Sequence, residues 1–267
     1  QNIASGMYPT DKPQARAALC ASCHVGNANK FVDHQMISSG HPRLAFELNT
    51  YTATGASHFH ISDEYKKRKG IPDDMQSWAI GQAETARLLM NGIADQTRFN
   101  KGSNPELAFF DCYACHHSMS TQQWLARPEL SNLTGVPRLN DANLQMLQLI
   151  AQRIDPSLAQ RLQKERMALH AATLQNFDST RQAALALSNT TTTLATRFAE
   201  HRFQAKDMLL LAQDIVSNIH QVDINDYLTA EQITLTLSSM IAGLHDSHSI
   251  TDKQYQHVER TMDAVYK

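Results

Sequence analysis

Cys20-Ala21-Ser22-Cys23-His24 and Cys112-Tyr113-Ala114-Cys115-His116 together contain all four cysteines of the 267-residue chain. Cys-x-x-Cys-His is the attachment spacing of c-type haem: two thiols three residues apart reach the two vinyl groups of one porphyrin. The histidine that follows takes the iron from one side. Two covalently bound c-type haems are therefore expected, with Cys20, Cys23, Cys112 and Cys115 as thioether residues. His24 and His116 are the expected proximal ligands.

Two other uses of the same cysteines compete. A four-cysteine zinc site can be built from two Cys-x-x-Cys knuckles, but it has no need of a histidine after each second cysteine. With 13 His in the chain, a chance histidine at both positions is about a one-in-four-hundred coincidence. A thioredoxin-like redox pair expects a βαβ pattern, which is not seen here.

The bulk composition narrows the setting. A formal charge of −2 suggests no nucleic-acid partner. Aromatic content is only 7%, so each porphyrin disc is expected to supply core surface that aromatics would otherwise provide. No uninterrupted apolar window of about 18 residues occurs, so no membrane span is expected. Haem c is attached outside the cytoplasmic membrane, which makes the expected location periplasmic or extracellular. The chain starts Gln1-Asn2-Ile3 without a basic, apolar leader, so a signal peptide is expected to have been removed.

The pattern is helical almost throughout, and the predicted fold class is all-α. A loop-rich haem-binding module with short helices (1–130) should precede a haem-free antiparallel helical bundle (138–267). Asp11 and Pro13 mark the start of a helix that runs into the first motif. Pro42 predicts a second helix over Arg43–Leu48, with His41 at its cap. A looser segment should cover Tyr51 to Asp74, including Lys66–Lys69, and a third helix about Asp74 to Gly92. Asn104-Pro105-Glu106 predicts the start of a helix delivering the second motif. Pro128, Gly135 and Pro137 mark a linker.

Beyond the linker, Leu144, Leu147, Ile150 and Ile154 form a helical stripe, and Asp155-Pro156 starts the next helix. Further helices are predicted near 178–200 and 203–220. Thr229–Gln232 and Thr251–Gln254 both fit a capping box. The β-branched run Thr190–Thr193 should weaken its helix locally.

The sixth ligand on each iron decides the chemistry. Met75 is placed for the first haem only approximately. Met119 is too close to the second, and Met146 lies inside a helix. Histidine is the better candidate, and before the linker His34, His41, His58, His60 and His117 remain. His41 leads, because a helix cap would fix its backbone and Arg43 could pair with a propionate. His58 and His60 sit two apart, so one of them at most serves a given iron. His34 needs a tight return after His24, and His117 must diverge from His116. The histidines at 170, 201, 220, 245, 248 and 257 read as exposed or hydrogen-bonded helix residues. The lysine cluster at 66–69 reads as a solvated loop, or as a docking patch for an acidic redox partner.

Cys20-Ala-Ser-Cys-His-Val-Gly26, then His34, then Gly40-His-Pro-Arg-Leu-Ala-Phe-Glu-Leu48, resembles the periplasmic multihaem c-type cytochromes. That group includes the tetrahaem electron carrier of ammonia-oxidising bacteria. Trp78-Ala-Ile-Gly-Gln82 and Asp111-Cys-Tyr-Ala-Cys-His-His117 resemble recurrent elements of the same group, and the likeness covers roughly residues 5–120. It implies bis-histidine irons and closely packed haems, with His34, His41 and His58 as distal candidates. Relatives carry further motifs upstream. The chain is thus either a two-haem member or the C-terminal part of a longer protein.

The expected function is electron transfer, without substrate chemistry, between periplasmic or cell-surface redox partners: other cytochromes or a membrane quinol-linked donor. Two alternatives stand beside it. One is a reductase or peroxidase-like enzyme with an open iron site. The other is a structural or assembly subunit, oligomeric through its C-terminal helical half.

Overall fold

The computed structural model describes residues 4–43, 45–55, 58, 62–69, 73–101, 104–118, 136–217 and 226–265. Among them are twelve α-helices and one two-residue hairpin, so the chain is all-α as predicted. His60, Met119, Trp124, Pro128, Gly135 and His220 lie outside the described residues.

The centre is α5 (Asp74–Ala94), which buries Met75, Trp78, Ile80, Ala83, Met90 and Ile93. Asp73 caps it, accepting from the Gln76 amide. A helix apolar on so many sides must be covered on all of them. α9 (Phe177–Glu200) packs most extensively along it, and α1 (Pro13–His24) lies on it through Ala17 and Ala21. α7 (Ala142–Ile154) and α11 (Tyr227–Asp246) cover further faces.

Buried polar groups fix the register of these contacts. Gln76 Nε2 donates to the carbonyls of Phe198, Ala199 and His201, closing the C-terminal end of α9. Trp78 Nε1 donates to Thr236 Oγ1 at 3.0 Å. The Gln82, Asn143 and Gln232 side chains bond one another between α5, α7 and α11. Each would carry a desolvation cost of about 1–3 kcal/mol if left unpaired. One hydrophobic core therefore runs from Ala17 to Leu244 across the proline-marked stretch at 128–137. Residues from both stretches, 1–130 and 138–267, contribute to it.

α8 (Pro156–Ala172) starts as predicted, with Asp155 accepting from the Leu158 amide. α10 (Ala205–Ser217) and α12 (Asp252–Val265) complete the C-terminal half. Thr251 and Gln254 form the expected reciprocal capping box. Thr229 does not cap: α11 begins two residues earlier at Tyr227, capped by Asp226. The threonine run at 190–193 leaves α9 unbroken. Thr192 and Thr193 turn their hydroxyls back onto the carbonyls of Ser188 and Asn189.

The short elements near the motifs depart furthest from expectation. Of the stretch expected as a helix over Arg43–Leu48, the described residues 43 and 45–47 are not helical. α2 (His34–Ser38) precedes that stretch, and α3 (Leu48–Thr54) follows it, capped by Glu47. A further short helix, α4 (Asp63–Lys69), interrupts the predicted loose segment. α6 (Gln96–Phe99) leads into strand β1 (Asn100–Lys101), which pairs antiparallel with β2 (Asn104–Pro105). Asn104-Pro105 is thus strand, and only 3₁₀ turns at Leu107–Phe109 and Cys112–Ala114 follow it.

Gly81 carries the contact of α3 with α5. A Cβ there would lie 2.7 Å from Leu48 Cβ. Gly81→Ala should therefore cost about 1–3 kcal/mol, read as a lower urea midpoint; an unchanged midpoint would remove this contact from the account. Glu47, almost fully buried, has its pKa raised by that burial, against the bonds it accepts from Thr50 and Asn49. A carboxyl with a raised native pKa favours folding below its ordinary value and loses that contribution as pH rises through the raised one. The stability of Glu47→Gln relative to wild type should consequently improve as pH rises above about 4.5. Denaturation at a series of pH values tests this, and a pH-independent difference would refute it.

Candidate functional site

The first motif lies at the end of α1. Cys20, Cys23 and His24 stand at i, i+3 and i+4, so one helix face presents all three. Cys20 is half-buried and Cys23 exposed. The chain then reverses sharply. Gly26 adopts φ +111°, and a Cβ there would sit 2.6 Å from the Lys30 carbonyl. Asn27 and Lys30 exchange backbone bonds across the turn. Glycine's freedom at positive φ makes this turn possible.

The second motif is held differently. Cys112–Ala114 is a 3₁₀ turn, so Cys112 and Cys115 again share a side. Asp111, buried, accepts from the Tyr113 amide and from Arg138. The Asp111 amide in turn donates to the Arg138 carbonyl, and Phe110 bridges Leu139. The motif is thereby tied to the segment that starts α7. Cys112 is half-buried; Cys115 and His116 are exposed.

Each motif histidine faces a second histidine ring. His24 and His58 have centroids 6.0 Å apart with planes at 53°. His116 and His34 have centroids 6.4 Å apart with planes at 28°. Phe46, buried, stacks on His24 at 4.8 Å, and Tyr51 meets it edge-on at 5.9 Å. His34 is anchored through its backbone: its amide donates to Glu106 Oε1, which also accepts from Ala108. The turn after Gly26 is what carries His34 away from His24 and toward the second motif.

His41 is exposed, and its Nδ1 donates to the Pro42 carbonyl. It sits on no helix cap, and Arg43 is engaged by Glu231 and lies over the Tyr227 ring. Of the candidate histidines, His58 lies near His24 and His34 near His116. The signal in the sequence was present but indirect: His34 required a tight return, and Gly26 supplies it. His117 turns aside, its Nδ1 on the Ser118 carbonyl. Met75 and Met146 are buried in the core. His170 is buried against Asp141, and His245 stacks on Tyr255 while bonding Asp252.

Burial raises the pKa of Cys20 against the opposing pull of Arg16, and that of Cys112 against Arg43. Among the described residues no group of three or more His, Cys, Asp or Glu is gathered to hold a metal ion, so the four cysteines do not form one centre. No helix among them is long and apolar enough to cross a membrane.

The separation of the rings in each pair can be compared with that across a bound ion. An imidazole nitrogen lies about 2.0 Å from a bound first-row metal. With about 1.1 Å from nitrogen to ring centre, two imidazoles on opposite sides of one ion have centroids about 6.2 Å apart. The two observed separations are of that size, and each pair includes the histidine of one Cys-x-x-Cys-His stretch. No family model, no curated protein and no solved structure matches this chain.

Proposed function

We propose that the chain is a dihaem c-type cytochrome that carries electrons, with Cys20 and Cys23 holding one haem and Cys112 and Cys115 the other. His24 with His58, and His116 with His34, would hold the two irons. The observation that carries this reading is the pair of histidine–histidine gaps, 6.0 and 6.4 Å, one at each motif.

Haem supplies a one-electron couple, and two histidine ligands favour a lower potential than a methionine would give. The chain's own residues do the rest. Phe46 and Tyr51 pack against the His24 ring, and Glu106 holds the backbone of His34. Leu19, Met36, Tyr51 and Leu107 are apolar yet exposed beside the motifs. A large apolar disc is what would cover them. With two imidazoles on each iron no coordination position would remain for a substrate, which would suit a carrier rather than an enzyme. Cys23, Cys115 and His116 reach the surface, so electrons can pass to a docked partner. Such a partner is another cytochrome or a quinol-linked donor at the membrane. Covalent attachment of haem c sets the proposed location as the periplasm or cell surface.

Pyridine haemochrome and mass analysis of the protein, matured with its haem-attachment machinery, should give two haems per chain. EPR should show two low-spin ferric irons indifferent to carbon monoxide after reduction. His58→Ala should open one iron and His34→Ala the other, each gaining a high-spin signal and binding carbon monoxide. His41→Ala should leave both low-spin. A high-spin iron in His41→Ala alone would reverse the pairing, and a native iron open to ligand would favour an enzyme.

A further inference from the structure

The strap of residues 26–34 leaves the first motif at Gly26 and ends at His34, whose ring lies near that of His116. His34 opens α2, a helix of five residues that buries none of its own side chains. A helix so short does not keep its place through its own hydrogen bonds. His34 is held instead by the segment that approaches the second motif.

Two fastenings meet there. The first is Glu106, only 6% exposed, whose Oε1 accepts from the His34 amide at 2.7 Å and from the Ala108 amide at 3.0 Å. Glu106 is fixed in turn, because its own amide donates to the Phe99 carbonyl at 2.7 Å. The second fastening is aromatic. Phe31, on the strap, stacks on Phe109 with ring centroids 5.7 Å apart. The Arg98 guanidinium lies 4.2 Å from the centre of the Phe31 ring and 5.8 Å from that of Phe109. A guanidinium over two stacked rings gains cation–π attraction from each. Arg98 and Phe99 are neighbours on α6, so one short helix supports both fastenings.

The carboxylate is the stronger of the two. Hydrogen bonds to an ionised acceptor exceed those between neutral groups, and removing this one would leave the His34 and Ala108 amides without it. Both amides bond the same oxygen, so a single carbonyl oxygen at that place could serve them equally well.

We propose that Glu106 is the positioning residue for the distal ligand of the second haem, with the Arg98–Phe31–Phe109 stack as its second support. The proposal rests on the dihaem reading and on His34 as a ligand. It deepens them by making the coordination of one iron depend on a carboxylate that bonds the ligand's backbone. The first haem would take its ligands from the end of α1 and from residue 58, both outside the fastened end of the strap, so it should not respond.

The test is an EPR-monitored cyanide titration of the ferric dihaem protein, with the two irons told apart through His34→Ala. Glu106→Ala releases the strap, and an entering ligand then binds in proportion to the fraction of iron that His34 has left. The cyanide concentration that half-saturates the His34-dependent iron should fall about tenfold or more, with the other iron unmoved. Glu106→Gln keeps an oxygen for both amides and should stay within about threefold of wild type. An unchanged cyanide affinity in Glu106→Ala, equal shifts at both irons, or a Glu106→Gln protein as open as Glu106→Ala would overturn the assignment. If Glu106→Ala does not fold, Phe31→Leu decides, since it keeps apolar bulk and loses the stack. A several-fold gain in cyanide affinity confined to the His34-dependent iron supports the fastening, and no gain refutes it. A chain that takes up no haem, or that keeps both irons low-spin in His34→Ala, would instead overturn the reading beneath the proposal.

Discussion

The packing of α5 against its neighbours is the constraint on which the site depends. Trp78, Ile80, Met90 and Ile93 are almost wholly removed from water, and each contributes about 1.5–3 kcal/mol by burial. The helix cannot keep that burial unless α9, α1, α7 and α11 all remain in place. α1 is therefore held by the same core that stabilises the whole chain, and with it Cys20, Cys23 and His24. Small residues make the approach close: Ala17 and Ala21 on α1, Gly81 and Gly92 on α5. Gly92 admits the Phe109 ring, to which an added Cβ would come within 2.7 Å. The same helix thus positions the first motif through α1 and the approach to the second through Phe109.

The two motif regions are coupled in a way that neither shows alone. His34 comes from the segment just after the first motif, yet its ring faces His116 of the second. Glu106, on the approach to the second motif, accepts from the amide of His34. One buried carboxylate thereby joins the two segments, and the Phe31–Phe109 stack reinforces the join. Displacing the turn at Gly26 would move His34 and so disturb the second site, although Gly26 belongs to the first.

Long elements with a clear apolar period were legible in the sequence. α1, α5, α7, α8 and α9 have the predicted positions because their stripes and caps, Pro13, Asp155 and the residues they precede, act locally. The short elements were not legible in the same way. Pro42 is compatible with a helix start, but the described residues 41–43 and 45–47 run without helix, and Glu47 caps a helix beginning at Leu48. Asn104-Pro105 has the composition of a helix start and is used instead as an edge strand, where the proline's missing donor costs nothing. Thr229 matched a capping box, yet Asp226, fully buried, took the cap and Thr229 bonds its carboxylate. In each case a tertiary partner decided between two locally acceptable conformations. The cysteine motifs were legible at once from their spacing. The facing histidines were reduced to a short set, but their pairing depends on where a tight turn sends the chain, and spacing alone does not encode that.

The two ring pairs differ in how they are supported, and the difference follows from their elements. His24 stands on a twelve-residue helix and is stacked by Phe46, itself buried. His116 follows a single 3₁₀ turn and is exposed, so its position rests on the Asp111–Arg138 link to the start of α7. On the facing side the order reverses. His34 is pinned through its backbone to Glu106, whereas His58 is exposed and four residues beyond the end of α3. Each pair thus combines one firmly held ring with one held more loosely. At both motifs the firmly held ring belongs to the segment of residues 24–34, so the turn at Gly26 sets the position of both.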